Sequence, residues 1–130
     1  MLKVAMDVIK NAYSPYSKIK IGAAVLTEHN HIFSGCNIEN ASYGATVCAE
    51  RVALWKAVSS GEKKVKEILV LTDSNRIAWP PCGLCRQVMS EFAIEEMKVH
   101  LVNTSLTQKQ SLFFKDLFPY KLSLDLFKTE

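Results

Sequence analysis

The chain has 130 residues, 48% of them hydrophobic, and its 16 basic and 13 acidic side chains leave a net charge of +3. That is one domain's worth of chain, residues 1–130, with enough apolar content for a core, and its weak, scattered charge does not argue for a nucleic-acid surface. No apolar run approaches the ~20 residues of a membrane-spanning helix and no signal-peptide core opens the chain, so a cytoplasmic location is expected.

Residues 2–12 space Leu2, Ala5, Met6 and Ile9 as a helix does, and Ser14-Pro15 ends it. Residues 21–27 and 32–37 read as strands joined by a tight turn around Glu28-His29-Asn30. A helix over 48–60 follows, stopped by Gly61. Residues 68–72 (Ile-Leu-Val-Leu-Thr) are apolar almost throughout, as in a strand with helices on both faces. A loop over 73–81 leads to a helix over 82–93, with Pro80 and Pro81 at its start. Residues 99–102 read as another strand, 111–118 as a short helix, and 122–127 as a terminal helix or tail. The alternation predicts an α/β fold: a three-layer α/β/α arrangement around a mixed sheet. The sheet has five strands if one more short strand lies near residues 112–115.

The chemistry is concentrated in two separated segments, Cys48-Ala49-Glu50 and Pro81-Cys82-Gly83-Leu84-Cys85. Cys82 and Cys85 are three apart and share a helix face. Near a helix N-terminus, the dipole and free N–H groups favour thiolates. Three thiolates on zinc leave a fourth position open, and a carboxylate beside an open position describes a zinc hydrolase. Glu50 is two residues from a ligand, close to the metal without having to bind it. Three thiolates also weaken the metal as a Lewis acid. Arg51 and Arg86, two of the chain's three arginines, flank the motif and are expected to hydrogen-bond the sulfurs, Arg51 first.

Other readings stand beside this one. A Cys-x-x-Cys pair can be a redox couple. The fourth cysteine, Cys36, could close a structural four-cysteine site. Asn37 and Glu39 could simply cap a turn. His29, His31, His100 and the run Lys63, Lys64, Lys66 are read as surface or packing residues.

The pattern C-A-E…P-C-G-L-C resembles the all-cysteine form of the zinc deaminase signature. The wider stretches 35–43, 48–51 and 81–87, with 12–18 and 21–24, closely resemble the small homotetrameric cytidine deaminases of pyrimidine salvage, over roughly residues 10 to 122. The resemblance implies the cytidine-deaminase-like fold and one Zn2+ per subunit on Cys48, Cys82 and Cys85. It further implies Glu50 as the proton shuttle, Asn37 and Glu39 on the ribose 3′-hydroxyl, and the backbone of Ala49 on the base. An amide and a carboxylate, two apart on a strand, suit a hydroxyl that both donates and accepts.

Two positions depart from the family. Ile19 stands where a phenylalanine is common, and Leu122 stands where a phenylalanine commonly reaches a neighbouring subunit's base. Both walls around the pyrimidine are then aliphatic, unless Phe118 or Tyr120 substitutes. The implied reaction is hydrolytic deamination of cytidine or deoxycytidine to the uracil nucleoside and ammonia. Three alternatives stand beside it, the first and last of them kept open by the Ile19 and Leu122 departures. These are a related deaminase acting on another aminated nucleoside or on cytosine in a polynucleotide, a non-enzymatic zinc module, and a deaminase fold that has lost turnover.

Overall fold

The computed structural model describes residues 1–75 and 77–127. Helix α1 (Leu2–Val8) runs on into a single 3-10 turn, Ile9–Asn11. Strands β1 (Ile21–Thr27) and β2 (Ile32–Cys36) form an antiparallel hairpin. Asn30 turns it with φ 66°, a left-handed conformation that asparagine tolerates. Helix α2 (Ala49–Ser59) is followed by Gly61 at φ 97°, the glycine stop read in the sequence. Then come β3 (Val65–Thr72), α3 (Gly83–Phe92), β4 (Ala93–Asn103), β5 (Lys109–Phe113), α4 (Phe114–Leu117) and a 3-10 turn, Leu124–Phe127.

The strands form one mixed sheet of order β2-β1-β3-β4-β5. Only β3 and β4 are parallel, and α3 makes the crossover between them. β3 lies inside the sheet with helices on both sides, which explains its continuous apolar run. Its alternate residues serve two cores. Leu69 and Leu71 meet Ala5 and Ile9 on the α1 side. Ile68 and Val70 meet Ala53, Leu54 and Met89 on the side of α2 and α3.

Helix α2 lies very close to the sheet at Gly35. A Cβ there would stand 2.5 Å from the Ala53 nitrogen and 2.6 Å from the Ala49 oxygen. The absent side chain lets the helix backbone rest directly on β2, and that contact fixes the height of the α2 N-terminus over the sheet.

Three expectations need correction. β4 covers 93–103 rather than 99–102, because it starts directly where α3 stops. An irregularity in pairing between Val65 and Glu67 absorbs the added residues. The segment 111–118 is not one helix. Its first part is the end of edge strand β5, with Leu112 turned inward between exposed Ser111 and Phe113, and only 114–117 make a helical turn. The helix read over 82–93 starts one residue later, at Gly83, because Cys82 is the residue that caps α3; Pro80 and Pro81 lie in the loop before it.

Candidate active site

Two helix starts converge. Cys48 caps α2 and Cys82 caps α3, both with extended backbone (φ −75°, ψ 154° and φ −68°, ψ 170°) and neither with a side-chain capping bond. A serine or aspartate would spend its oxygen on the helix N–H groups. A cysteine leaves its sulfur free to turn elsewhere. The two sulfurs lie 3.8 Å apart. Cys85, third in α3, adds a fully buried sulfur, and the three Sγ atoms lie within 4.8 Å of one another. All are free thiols. Cys36 is buried at the end of β2 and stands outside this cluster, which removes the four-cysteine reading. The three sulfurs fit one zinc ion with its fourth position open.

The sulfurs are not equivalent. Hydrogen bonding from Cys85, then from Arg51 and Cys82, holds the Cys48 thiol down at about 5. Cys85 is pushed upward as donor to Cys48, by its burial, and by Glu50. Arg51 Nη2 donates to Cys48 Sγ at 3.6 Å and to the Thr46 carbonyl at 3.5 Å. Its Nε is buried without a hydrogen-bond partner among the described residues.

Arg86 does something different from what was expected. Its Nε donates to the Pro81 carbonyl and its Nη1 to the Leu117 carbonyl, both at 2.8 Å. Lying one residue beyond Cys85, it leaves the metal side of α3 and ties the approach to Cys82 to the end of α4.

Glu50, second in α2, is 4% exposed. Burial pushes its carboxyl up to about 7, helped by the Cys48 thiolate and opposed by its own backbone N–H and by Arg51. A group so poised can take a proton and return it near neutral pH.

A cavity of about 280 Å³ opens from these groups. Cys48, Cys82 and Glu50 line it together with Asn37, Glu39 and Ser17. The backbone stays extended past β2, because Ile38 bridges both Tyr13 and Val47, so Asn37 and Glu39 face the same side. Asn37 accepts from Ile21 N–H (2.8 Å) and donates to the Ile19 carbonyl (2.9 Å). Glu39 accepts from the N–H groups of Tyr16 (2.9 Å) and Ser17 (3.2 Å) and from the Ser17 hydroxyl. That hydroxyl is the main reason the Glu39 carboxyl is held below its ordinary range. The turn-fixing reading and the cavity-lining reading therefore describe the same two residues.

Of the remaining candidates, Ile19 lines the cavity. Ala49 is fully buried behind it, although its amide, in the first turn of α2, has no acceptor within the helix. Leu122 is 58% exposed and lies outside the cavity, its carbonyl accepting from Gln87 Nε2 at 3.2 Å. Phe118 packs on Phe114 and Tyr120 is almost wholly exposed, and neither lines the chain's own cavity. Sequence reasoning missed Trp79 and Thr46, which also line the cavity. A tryptophan just ahead of Pro80-Pro81-Cys82 was the available signal.

Known proteins share this arrangement. Residues 1–101 match the family described as "Cytidine and deoxycytidylate deaminase zinc-binding region". A cytidine deaminase of Halalkalibacterium halodurans is 48% identical over 103 residues, covering 79% of this chain and 77% of that protein. One from Sporosarcina psychrophila is 49% identical over 94 residues, covering 72% and 68%. The crystal structure of cytidine deaminase from Burkholderia pseudomallei superposes with a TM-score of 0.85 at 38% identity, covering 92% of this chain and 94% of that one. With three converging sulfurs, an adjacent buried glutamate and these likenesses in sequence and fold, the chain belongs to the cytidine and deoxycytidylate deaminase zinc-binding family.

Proposed function

We propose that this chain is a cytidine deaminase, converting cytidine or deoxycytidine and water to uridine or deoxyuridine and ammonia, with pyrimidine salvage as its setting. The observation that carries the proposal is that one cavity is lined both by Cys48, Cys82 and Glu50 and by the Asn37–Glu39 pair.

Cys48, Cys82 and Cys85 would hold the zinc ion, which when bound supplies Lewis-acid activation of water. The chain's own residues do the rest. Glu50, poised near neutrality by burial, takes a proton from the attacking water and passes it to ring N3. It then takes the second proton from the new C4 hydroxyl, leaving the C4 carbonyl, and delivers it to the amine as the C4–N bond breaks and ammonia departs. Arg51 offsets negative charge on the Cys48 sulfur. Asn37 and Glu39 position the sugar, each already held by backbone partners and so needing little reorganisation on binding. The backbone of Ala49 meets the base, and Ile19 packs beside it. Arg86 holds the α3 N-terminus in place from behind.

A homotetramer of single-domain subunits in the cytoplasm is part of the same proposal. Supporting it are large apolar side chains left in solvent, among them Tyr43 at 79% and Leu84 at 66% exposure. Leu122 would then serve a neighbouring subunit's site. Light scattering tests this, and a fully active monomer would refute it.

The decisive assay follows the ultraviolet absorbance of the cytosine chromophore when zinc-loaded protein is added to cytidine or deoxycytidine. Conversion that vanishes in Glu50→Ala supports the proposal. Zinc bound without turnover would refute it and direct attention to other aminated nucleosides.

A further inference from the structure

The family resemblance leaves the pyrimidine without its usual aromatic neighbour, since position 19 is isoleucine. Among the residues lining the cavity, one aromatic side chain remains, Trp79. It comes from a different segment, the loop between β3 and α3.

That loop holds Trp79 firmly. Its N–H donates to the hydroxyl of Thr72, a fully buried residue at the end of β3, at 3.0 Å. The preceding Ala78 N–H donates to Gln108 Oε1 at 3.0 Å. Pro80 follows and restricts the Trp79 backbone to extended conformations. The indole is 42% exposed, with a large apolar surface still open to a ligand.

Its place in the chain says which part of a ligand it meets. Trp79 lies three residues before Cys82 and lines the cavity that Cys48, Cys82 and Glu50 share with Asn37, Glu39 and Ser17. The reacting ring belongs beside the cysteines and Glu50, and the sugar beside Asn37 and Glu39. The geometry points to Trp79 as the aromatic wall for the base in this protein, a binding and specificity residue that supplies from another segment of the same cavity the stacking surface absent at Ile19. This inference rests on the deaminase reading of the site. It predicts selectivity for flat aromatic bases through a residue outside the metal-binding motif.

The test compares zinc-loaded wild type with Trp79→Leu and Trp79→Phe on cytidine. Leucine keeps apolar bulk and removes the ring, so KM should rise about five- to tenfold, with the loss falling on KM rather than kcat. Phenylalanine should recover most of the affinity. A direct binding measurement uses Glu50→Gln in a Trp55→Phe background, where Trp79 is the only one of the two tryptophans left. Cytidine should then quench its emission saturably.

An unchanged KM in Trp79→Leu, with wild-type turnover present, overturns the inference and leaves the reaction intact. Saturable quenching by cytidine without turnover in the zinc-loaded wild type upholds the wall and overturns the reaction. Neither turnover nor quenching overturns both.

Discussion

Arg51 joins the Cys48 sulfur to the ring of Trp55: its Nη2 lies 3.6 Å from Sγ, and its Cζ lies 5.9 Å from the indole centroid. The guanidinium is thus held on its outer side by a cation–π contact while it faces a thiolate on its inner side. A cysteine-only site carries more negative charge than one containing a neutral imidazole, and Arg51 is placed to reduce it. We expect Arg51→Gln to retain zinc but lower kcat about tenfold, the worth of a charge-assisted hydrogen bond of ~1.5 kcal/mol. Steady-state kinetics with parallel metal analysis checks this, and unchanged turnover at full zinc content would remove the role.

Glu50→Gln should separate binding from chemistry. The amide is nearly isosteric and cannot shuttle the proton, so turnover should fall ~100- to 10,000-fold. Zinc content should remain at one per chain, because the three sulfurs are untouched. Substantial residual activity would take Glu50 out of the mechanism.

Gly35→Ala tests how α2 is seated. The new Cβ meets backbone atoms of Ala49 and Ala53, and the Val52 Cβ at 2.8 Å, none of which can rotate aside. Overpacking of this kind costs ~1–3 kcal/mol. We expect a lower urea midpoint and, because α2 begins at Cys48, weaker zinc retention. A variant matching the wild type in both would show that the helix can lift without consequence.

A pH-dependent contribution to stability lies far from the metal ligands. His29 Nδ1 and Glu62 Oε2 are 2.9 Å apart, joining the hairpin turn to the end of α2. The Glu62 hydrogen bond raises the His29 value above its ordinary 6.5. The His29 hydrogen bond lowers the Glu62 value below its ordinary 4.5. The histidine's contribution is full below 6.5 and is lost as pH rises through its raised folded value. The glutamate's is full above 4.5 and is lost as pH falls through its lowered folded value. The difference in melting temperature between wild type and Glu62→Gln should therefore be largest between pH 4.5 and 6.5 and shrink on either side. A difference that stays flat from pH 4 to 9 would contradict this.

Most of the architecture was legible in the chain because local signals agreed with the fold. The boundaries of β1 were read without error, and the α2 stop at Gly61 follows from a glycine's tolerance of positive φ. The metal cluster was legible from spacing together with the family resemblance, since spacing left the redox-pair and four-cysteine readings open. What escaped depended on partners distant in sequence. β5 is a strand because β4 offers it an edge, which no pattern within 109–113 announces. Arg86 was read as a partner of the sulfurs from its adjacency to Cys85, but its fork closes on carbonyls of Pro81 and of Leu117, the latter 31 residues away. Trp79 reaches the cavity only because Thr72 and Gln108 hold its loop.

The fastening of Glu39 to Tyr16 and Ser17 constrains how this protein can change over generations. The segment before β1 has neither helix nor strand of its own; Glu39 holds it at Tyr16 and Ser17, and Asn37 holds the Ile19 carbonyl. On the proposed roles of this pair, a substitution that altered sugar preference at position 37 or 39 would also loosen the stretch carrying Ile19. Mutational drift toward a new sugar is therefore coupled to drift in the base's surroundings.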